Sequence, residues 1–199
     1  TSSLRDARLS RSLVRGNQRH LGRHAPGTEG ERAETLIHDR SPGLIVGPFD
    51  PTDRFAYWVA RFLRPELLGG RGETALVPGP RDRPVQFIDA RDLARWILDG
   101  AEAGRAGTFN ACSPEGQWTM GALVDALVAR GRGAESAPVP AWVDDATLVG
   151  CGIVPWTGLP LWIPATDPES AAFVDFACAR AIANGLAIRP LAQTIDGTA

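Results

Sequence analysis

Lysine is absent from this sequence. All 21 basic residues among its 199 are arginine. That excludes a Walker A phosphate loop, a Schiff-base lysine and any Tyr-x-x-x-Lys pair, because each needs the amine. Histidine is almost as scarce: His20, His24 and His38 all lie before residue 40. No later histidine can serve a serine or cysteine nucleophile, and no G-x-S-x-G elbow occurs. His20 and His24 stand four residues apart, but Gly22 lies between them and no glutamate takes the zinc-protease position. A metal site is not expected there.

Cysteine is limited to Cys112, Cys151 and Cys178. Three residues, odd in number and far apart, argue against a disulfide framework and suit a reducing cytosol. They offer no close pairs for zinc. No apolar run approaches the ~20 residues of a membrane span. The best candidate, GIVPWTGLPLWIPA at 152–165, is broken by three prolines. The first residues show no apolar core of a secretory signal. A cytoplasmic location without a membrane partner is therefore expected. The chain opens on Thr1, and further sequence upstream is expected.

Net charge is only -2, which gives no global pull toward nucleic acid or anionic lipid. It is unevenly spread. Residues 1–25 hold six arginines and one acid, a formal +5. Those arginines recur at near-helical spacing, so a basic helix for RNA or an acidic partner is one reading. Few large apolar residues and two interrupting glycines favour another, a disordered or poorly packed Arg-rich leader over 1–40.

From residue 41 to 199 the texture is that of a folded domain, and 44% hydrophobic residues overall can supply a core. GLIVGP at 43–48 reads as a buried strand of a parallel sheet. PTDRFAYWVARFLRPELLGG at 51–70 places Phe55, Trp58, Val59 and Phe62 at helical spacing before Pro and Gly stops. A short strand and turn follow at 73–80. RPVQFIDARDLARWI at 83–97 runs a strand into an amphipathic helix. Val85 and Phe87 should face one side, Gln86 and Ile88 the other. Asp89 suits the N-cap and Asp92 the third helical position. GTFNACSP at 107–114 reads as a strand. TMGALVDALVARG at 119–131 reads as a helix capped by Thr119 and stopped by Gly131. AWVDDATLVG at 141–150 reads as a short helix, and residues 171–191 as strand, helix, glycine stop and strand. This alternation predicts an α/β fold.

One glycine pattern is a decoy. Gly70-x-Gly72-x-x-Ala75, with Asp89 downstream, imitates a dinucleotide fingerprint. The fingerprint needs a strand before it and a helix after it, and the order here is reversed.

Three stretches, SPGLIVGPFDPTDRF, RPVQFIDARDLARWI and GTFNACSP, in that order, resemble the C-terminal half of NAD-dependent epimerase/dehydratase proteins, the extended short-chain dehydrogenase/reductases. The tail DPESAAFVDFACARAIANGLAIRPLAQTI is similar to that family's last strand, helix and strand. The resemblance covers about 41–196. It implies the late strands of a Rossmann-like sheet with a small substrate lobe. The parent activity would be NAD- or NADP-linked epimerisation, dehydration or reduction at a hydroxyl-bearing, sugar-like carbon. Pro42, Gly43 and Leu44 would approach the nicotinamide. Pro48, Phe49, Asp50, Asp53, Arg54, Arg83 and Gln86 would border the substrate.

The departures are as informative. The family's N-terminal glycine-rich loop and its Tyr-x-x-x-Lys pair do not occur, and the one tyrosine, Tyr57, falls after the expected place. The expectation is a truncated or catalytically incomplete form that binds no cofactor by itself. Residues 4–40 match nothing in that family region. Val85 stands where sugar-nucleotide enzymes carry an arginine, so a nucleotide-diphosphate substrate is not implied. A homodimer stays open. The rival readings are a non-catalytic small-molecule or protein binding module and, further off, a nucleic-acid binder acting through the basic segment.

Overall fold

The computed structural model describes residues 43–68, 74–131, 138–167 and 177–199. All of these belong to one unit, Ala33–Ala199. The Arg-rich segment, its histidines, Pro42 and the Gly70–Gly72 decoy lie outside the described residues.

Strand β1 (Leu44–Val46) forms from the apolar run and ends at Gly47, whose φ of 119° only glycine adopts without strain. Helix α1 (Ala56–Leu63) buries Trp58, Val59 and Phe62, the residues its spacing placed on one face. After a short 3-10 turn at Pro65–Leu68 come β2 (Thr74–Pro78), β3 (Pro84–Val85) and β4 (Phe87–Asp89). Helix α2 (Ala90–Glu102) follows β4 without a loop. Next are β5 (Trp118–Thr119), α3 (Met120–Gly131), β6 (Val139–Val143) and α4 (Asp145–Gly150). The described chain ends with α5 (Ala179–Ala183) and α6 (Leu191–Thr198).

Among the described residues the strands pair two by two. β1 lies parallel to β4 with Leu44 opposite Phe87 and Val46 opposite Asp89. β2 lies parallel to β6 from Thr74–Val139 to Pro78–Val143. β3 and β5 are antiparallel. Parallel pairs require crossovers, and helices supply them here, so the α/β expectation holds at that level.

The alternation along β4 divides the core. Val85 and Phe87 face the larger cluster, built from α1, α3 and α6; Phe55 meets Phe87 with ring centroids 4.9 Å apart. Ile88 faces a second cluster with Trp96, Phe109, Ala181 and Leu186. One strand thus serves two cores because its side chains alternate.

Three expected elements differ. Residues 107–114 form no strand. Ser113 sends one backbone bond to Phe87 O, and its hydroxyl accepts from Phe87 N. Asn110 donates to Ala177 O. Side chains take the place of a ladder there. In the 141–150 stretch, Ala141–Val143 extend as part of β6, and the helix begins only after Asp144, whose carboxylate caps Thr147 N at 2.9 Å. In the tail, residues 186–190 are irregular and α6 replaces the last expected strand. Leu191, Thr194 and Ile195 are its buried face, at i, i+3 and i+4. The first tail strand lies outside the described residues.

Candidate functional site

Because β1 and β4 are parallel, their carboxyl ends lie together, at Val46–Gly47 and Asp89. The site is built there. Asp89 caps α2 by accepting Arg91 N at 2.9 Å. The space a Gly47 side chain would fill is bounded by the Asp89 carboxylate, 3.3 Å away. Glycine therefore lets β1 end directly against the strand-to-helix junction. A cleft of about 510 Å³ opens at this point. Gly43, Leu44, Pro48, Phe49, Asp50 and Arg54 line it, with Ala90, the first residue of α2, and Trp156.

The backbone around the cleft is unusual. Phe49, Asp53 and Trp156 have φ of 65°, 55° and 65°. Left-handed conformation is costly for side chains of this size, and such residues concentrate where a chain must present a group in one direction. Phe49 is held there with its ring fully exposed (101%) beside the cleft. The Arg54 guanidinium lies 5.4 Å from the centre of the Trp156 ring, a cation–π contact that fixes the charge on one wall.

Asp50 is aimed by Thr52. Its Oδ1 accepts the Thr52 backbone N–H at 2.8 Å and the Thr52 hydroxyl at 2.7 Å. Its Oδ2 is shielded from solvent and has no hydrogen-bond donor among the described residues. An unsatisfied carboxylate oxygen in a shielded place is costly, and a hydrogen-bond donor brought to it would relieve that cost.

The remaining candidates lie elsewhere. Asp53 is exposed beside the cleft, and its carbonyl starts α1 by accepting Tyr57 N at 2.7 Å. Arg83 does not line the cleft. It is nearly buried, paired with Asp145, and donates to Ile163 O at 2.6 Å and to Gly79 O. Gln86 is also enclosed; its amide donates to Ser113 O at 2.8 Å and reaches the Cys178 sulfur at 3.7 Å. Both side chains join segments of the fold. Trp156, in contrast, belongs to the cleft, although in sequence it sits in a proline-broken apolar run. That stretch has no periodicity to announce which aromatic faces a ligand.

The α2 side of the junction is charged but fully engaged. Burial would raise the Asp89 pKa. Hydrogen bonds from the Arg91 side chain and backbone and from Thr194, with the nearby Arg189 charge, outweigh it and hold the carboxyl below its ordinary value. Asp92 pairs with Arg189 at 2.8 Å.

These features define an α/β domain whose cleft sits at the carboxyl ends of parallel strands, where open α/β sheets collect ligands. No family model matches the chain, and no curated protein matches it. A solved structure of RMD from Pseudomonas aeruginosa complexed with NADPH is similar at 16% identity and a TM-score of 0.47, over 78% of this chain and 44% of that one. The chain thus spans less than half the length of that protein, and the likeness is coarse. No described helix is long and apolar enough to cross a membrane, and no cluster of three or more metal-binding side chains occurs among the described residues.

Proposed function

We propose that the cleft binds a small hydroxyl-bearing molecule of sugar-like character, as the substrate lobe of an epimerase/dehydratase-type protein. The observation that carries this reading is the Asp50 Oδ2, shielded and without a donor among the described residues. A carboxylate fixed through one oxygen, with the other unpartnered, is an acceptor for a ligand hydroxyl. Arg54 adds a fork suited to a carboxylate or phosphate on the same ligand. Phe49 and Trp156 supply apolar faces.

NAD or NADP belongs to the parent family, but the described residues do not fit the whole cofactor. Gly43 and Leu44 offer a wall for a flat ring. No described strand runs through a glycine-rich turn into a helix as a pyrophosphate cradle requires, and no lysine or suitably placed tyrosine exists for proton transfer. The proposed role is therefore recognition, and the chain by itself is catalytically incomplete. A purely binding module is the same reading without the parent chemistry.

A thermal-shift screen of sugars, sugar acids and sugar nucleotides tests it, using the wild type, Asp50→Asn and Arg54→Ala. Stabilising hits should appear in the wild type and vanish or weaken in both variants, with the unliganded Tm nearly unchanged. Hits that persist unaltered in both would move the site elsewhere. No hit at millimolar concentration would reject the binding reading.

A further inference from the structure

The polar side chains of the cleft beside β1, Asp50, Thr52 and Arg54, all come from one short segment before α1. The Thr52 hydroxyl is already engaged by Asp50. The remaining wall is apolar, with Leu44 and Ile45 from β1 and the rings of Phe49 and Trp156 from two turns. Ile45 and Phe49 are both exposed. A bare sugar carries hydroxyls all around its ring. Against this wall most of them would lose water and gain no partner, at the desolvation cost of each. At about 510 Å³ the cleft also falls in the size range of pockets that take drug-sized ligands.

The two rings are presented by backbone that is costly to hold. Phe49 and Trp156 each have a φ of 65°, in the left-handed region. Trp156 sits on a tight turn. Its N–H donates to Trp162 O at 2.9 Å, Thr157 N–H to Pro155 O at 2.7 Å and Gly158 N–H to Val154 O at 2.8 Å. A β-carbon at Gly158 would lie 2.9 Å from the Val154 backbone, so the turn closes around a glycine. Trp156 is thereby fixed as a platform, with Arg54 over its ring. Phe49 lies inside the turn in which Asp50 N–H donates to Gly47 O at 3.3 Å, and its ring is left in solvent. A strained backbone that exposes a phenyl ring contributes nothing to folding. A ring brought by a ligand would cover it.

We propose that the ligand is amphipathic, a sugar-type head carrying an aromatic ring, as in an aryl glycoside, and that Phe49 is the residue that selects the ring. This builds on the sugar-binding role proposed above for the same cleft. The head meets Asp50 and Arg54, and an acidic head would engage the Arg54 fork most strongly. The aryl group covers Leu44 and Ile45 and stacks against Phe49. An aromatic body is favoured over an alkyl one because ring pairs gain more than their buried area alone supplies.

Titration calorimetry on the full chain tests this with matched methyl and phenyl β-glycosides: glucoside, galactoside, mannoside and glucuronide. The phenyl member of at least one pair should bind the wild type roughly 10- to 100-fold more tightly. Phe49→Gly should bring that phenyl glycoside down to its methyl partner. The unliganded Tm should stay nearly unchanged, because relief of the left-handed strain offsets the added freedom of the unfolded chain. Equal affinities within every pair would overturn the proposal. So would a phenyl gain that survives Phe49→Gly, or an equal gain from the cyclohexyl glycoside. In those cases glycosides whose binding is lost in Asp50→Asn would leave the sugar-binding reading standing. Phenol binding as tightly as its glycoside, or no binding by any pair, would overturn both.

Discussion

Asp92, in the first turn of α2, holds Arg189 from the far end of the chain. Its Oδ2 accepts the Arg189 backbone N–H at 2.9 Å and its Oδ1 accepts Arg189 Nε at 2.9 Å. Asp89 lies 3.5 Å from the same guanidinium. The two aspartates of the junction thus fasten the tail to the strand-to-helix corner beside the cleft. Asp92→Ala and Arg189→Ala should be strongly non-additive in a double-mutant cycle. A coupling of roughly 1–3 kcal/mol is expected for a charged, largely enclosed pair. Additive losses in urea unfolding would show that the pair contributes nothing specific.

Asp89 makes the same corner sensitive to acid. Its folded pKa is depressed, so its contribution is fully present above the unfolded value near ~4 and is lost as pH falls through the folded value. Asp89→Asn removes that contribution at neutral pH while keeping a side chain able to cap. The variant should be less stable by about 1–3 kcal/mol at pH 7, and the difference from wild type should shrink below pH 4. Parallel stability curves down to pH 2 would remove Asp89 from the acid response.

Trp96 anchors the second core. It is 3% exposed, lies edge-on to Phe109 with centroids 5.3 Å apart, and donates Nε1–H to Asn184 O at 3.0 Å. Trp96→Ala should cost ~3–5 kcal/mol. Trp96→Phe keeps a ring but orphans the Asn184 carbonyl, and should cost roughly 1–3 kcal/mol. Chemical denaturation distinguishes them, and an unchanged midpoint for Trp96→Ala would contradict the packing.

Gly43 has no room for a side chain. Gly43→Ala puts a methyl group against Cys112 Sγ and should cost about 1–3 kcal/mol by overpacking. Cys112→Ala should recover part of that loss when combined with it. A Gly43→Ala protein as stable as wild type would mean the start of β1 yields freely.

Turnover of a reduced nicotinamide by this chain alone is not expected, since the sequence contains no lysine and no tyrosine at the family's catalytic place. Absorbance at the reduced-nicotinamide band, followed with sugar-type ketones and with NADH or NADPH, checks it. Any protein-dependent decay would refute the assignment of a recognition role.

Local pattern was enough for the elements that carry their own signal. Phe55, Trp58, Val59 and Phe62 recur at helical spacing, and a helix with that stripe must bury it. Asp89 before an amphipathic run, and Thr119 before another, are caps because a short oxygen can reach the free amides of a first turn. Phe87 and Ile88 had to part because strand side chains alternate. The residues lining the cleft from 43 to 54 were also within reach of the sequence, through their order around GLIVGP and the family resemblance.

Tertiary structure decided the remainder, wherever a residue's partner is remote in sequence. Arg83 and Gln86 look the same to a sequence reader whether they face a ligand or a carbonyl 80 or 27 residues away. Their present partners, Ile163 and Ser113, exist only after the chain has folded back. Trp156 enters the cleft from a proline-broken run without periodicity. The Gln86 amide reaches the Cys178 sulfur at 3.7 Å, although 92 residues separate them in sequence. The segment at 107–114 has the composition of a strand but forms side-chain bonds instead. Spacing encodes what neighbours in sequence do to each other; contacts across tens of residues depend on how the hydrophobic faces pack, and that was settled only by the fold.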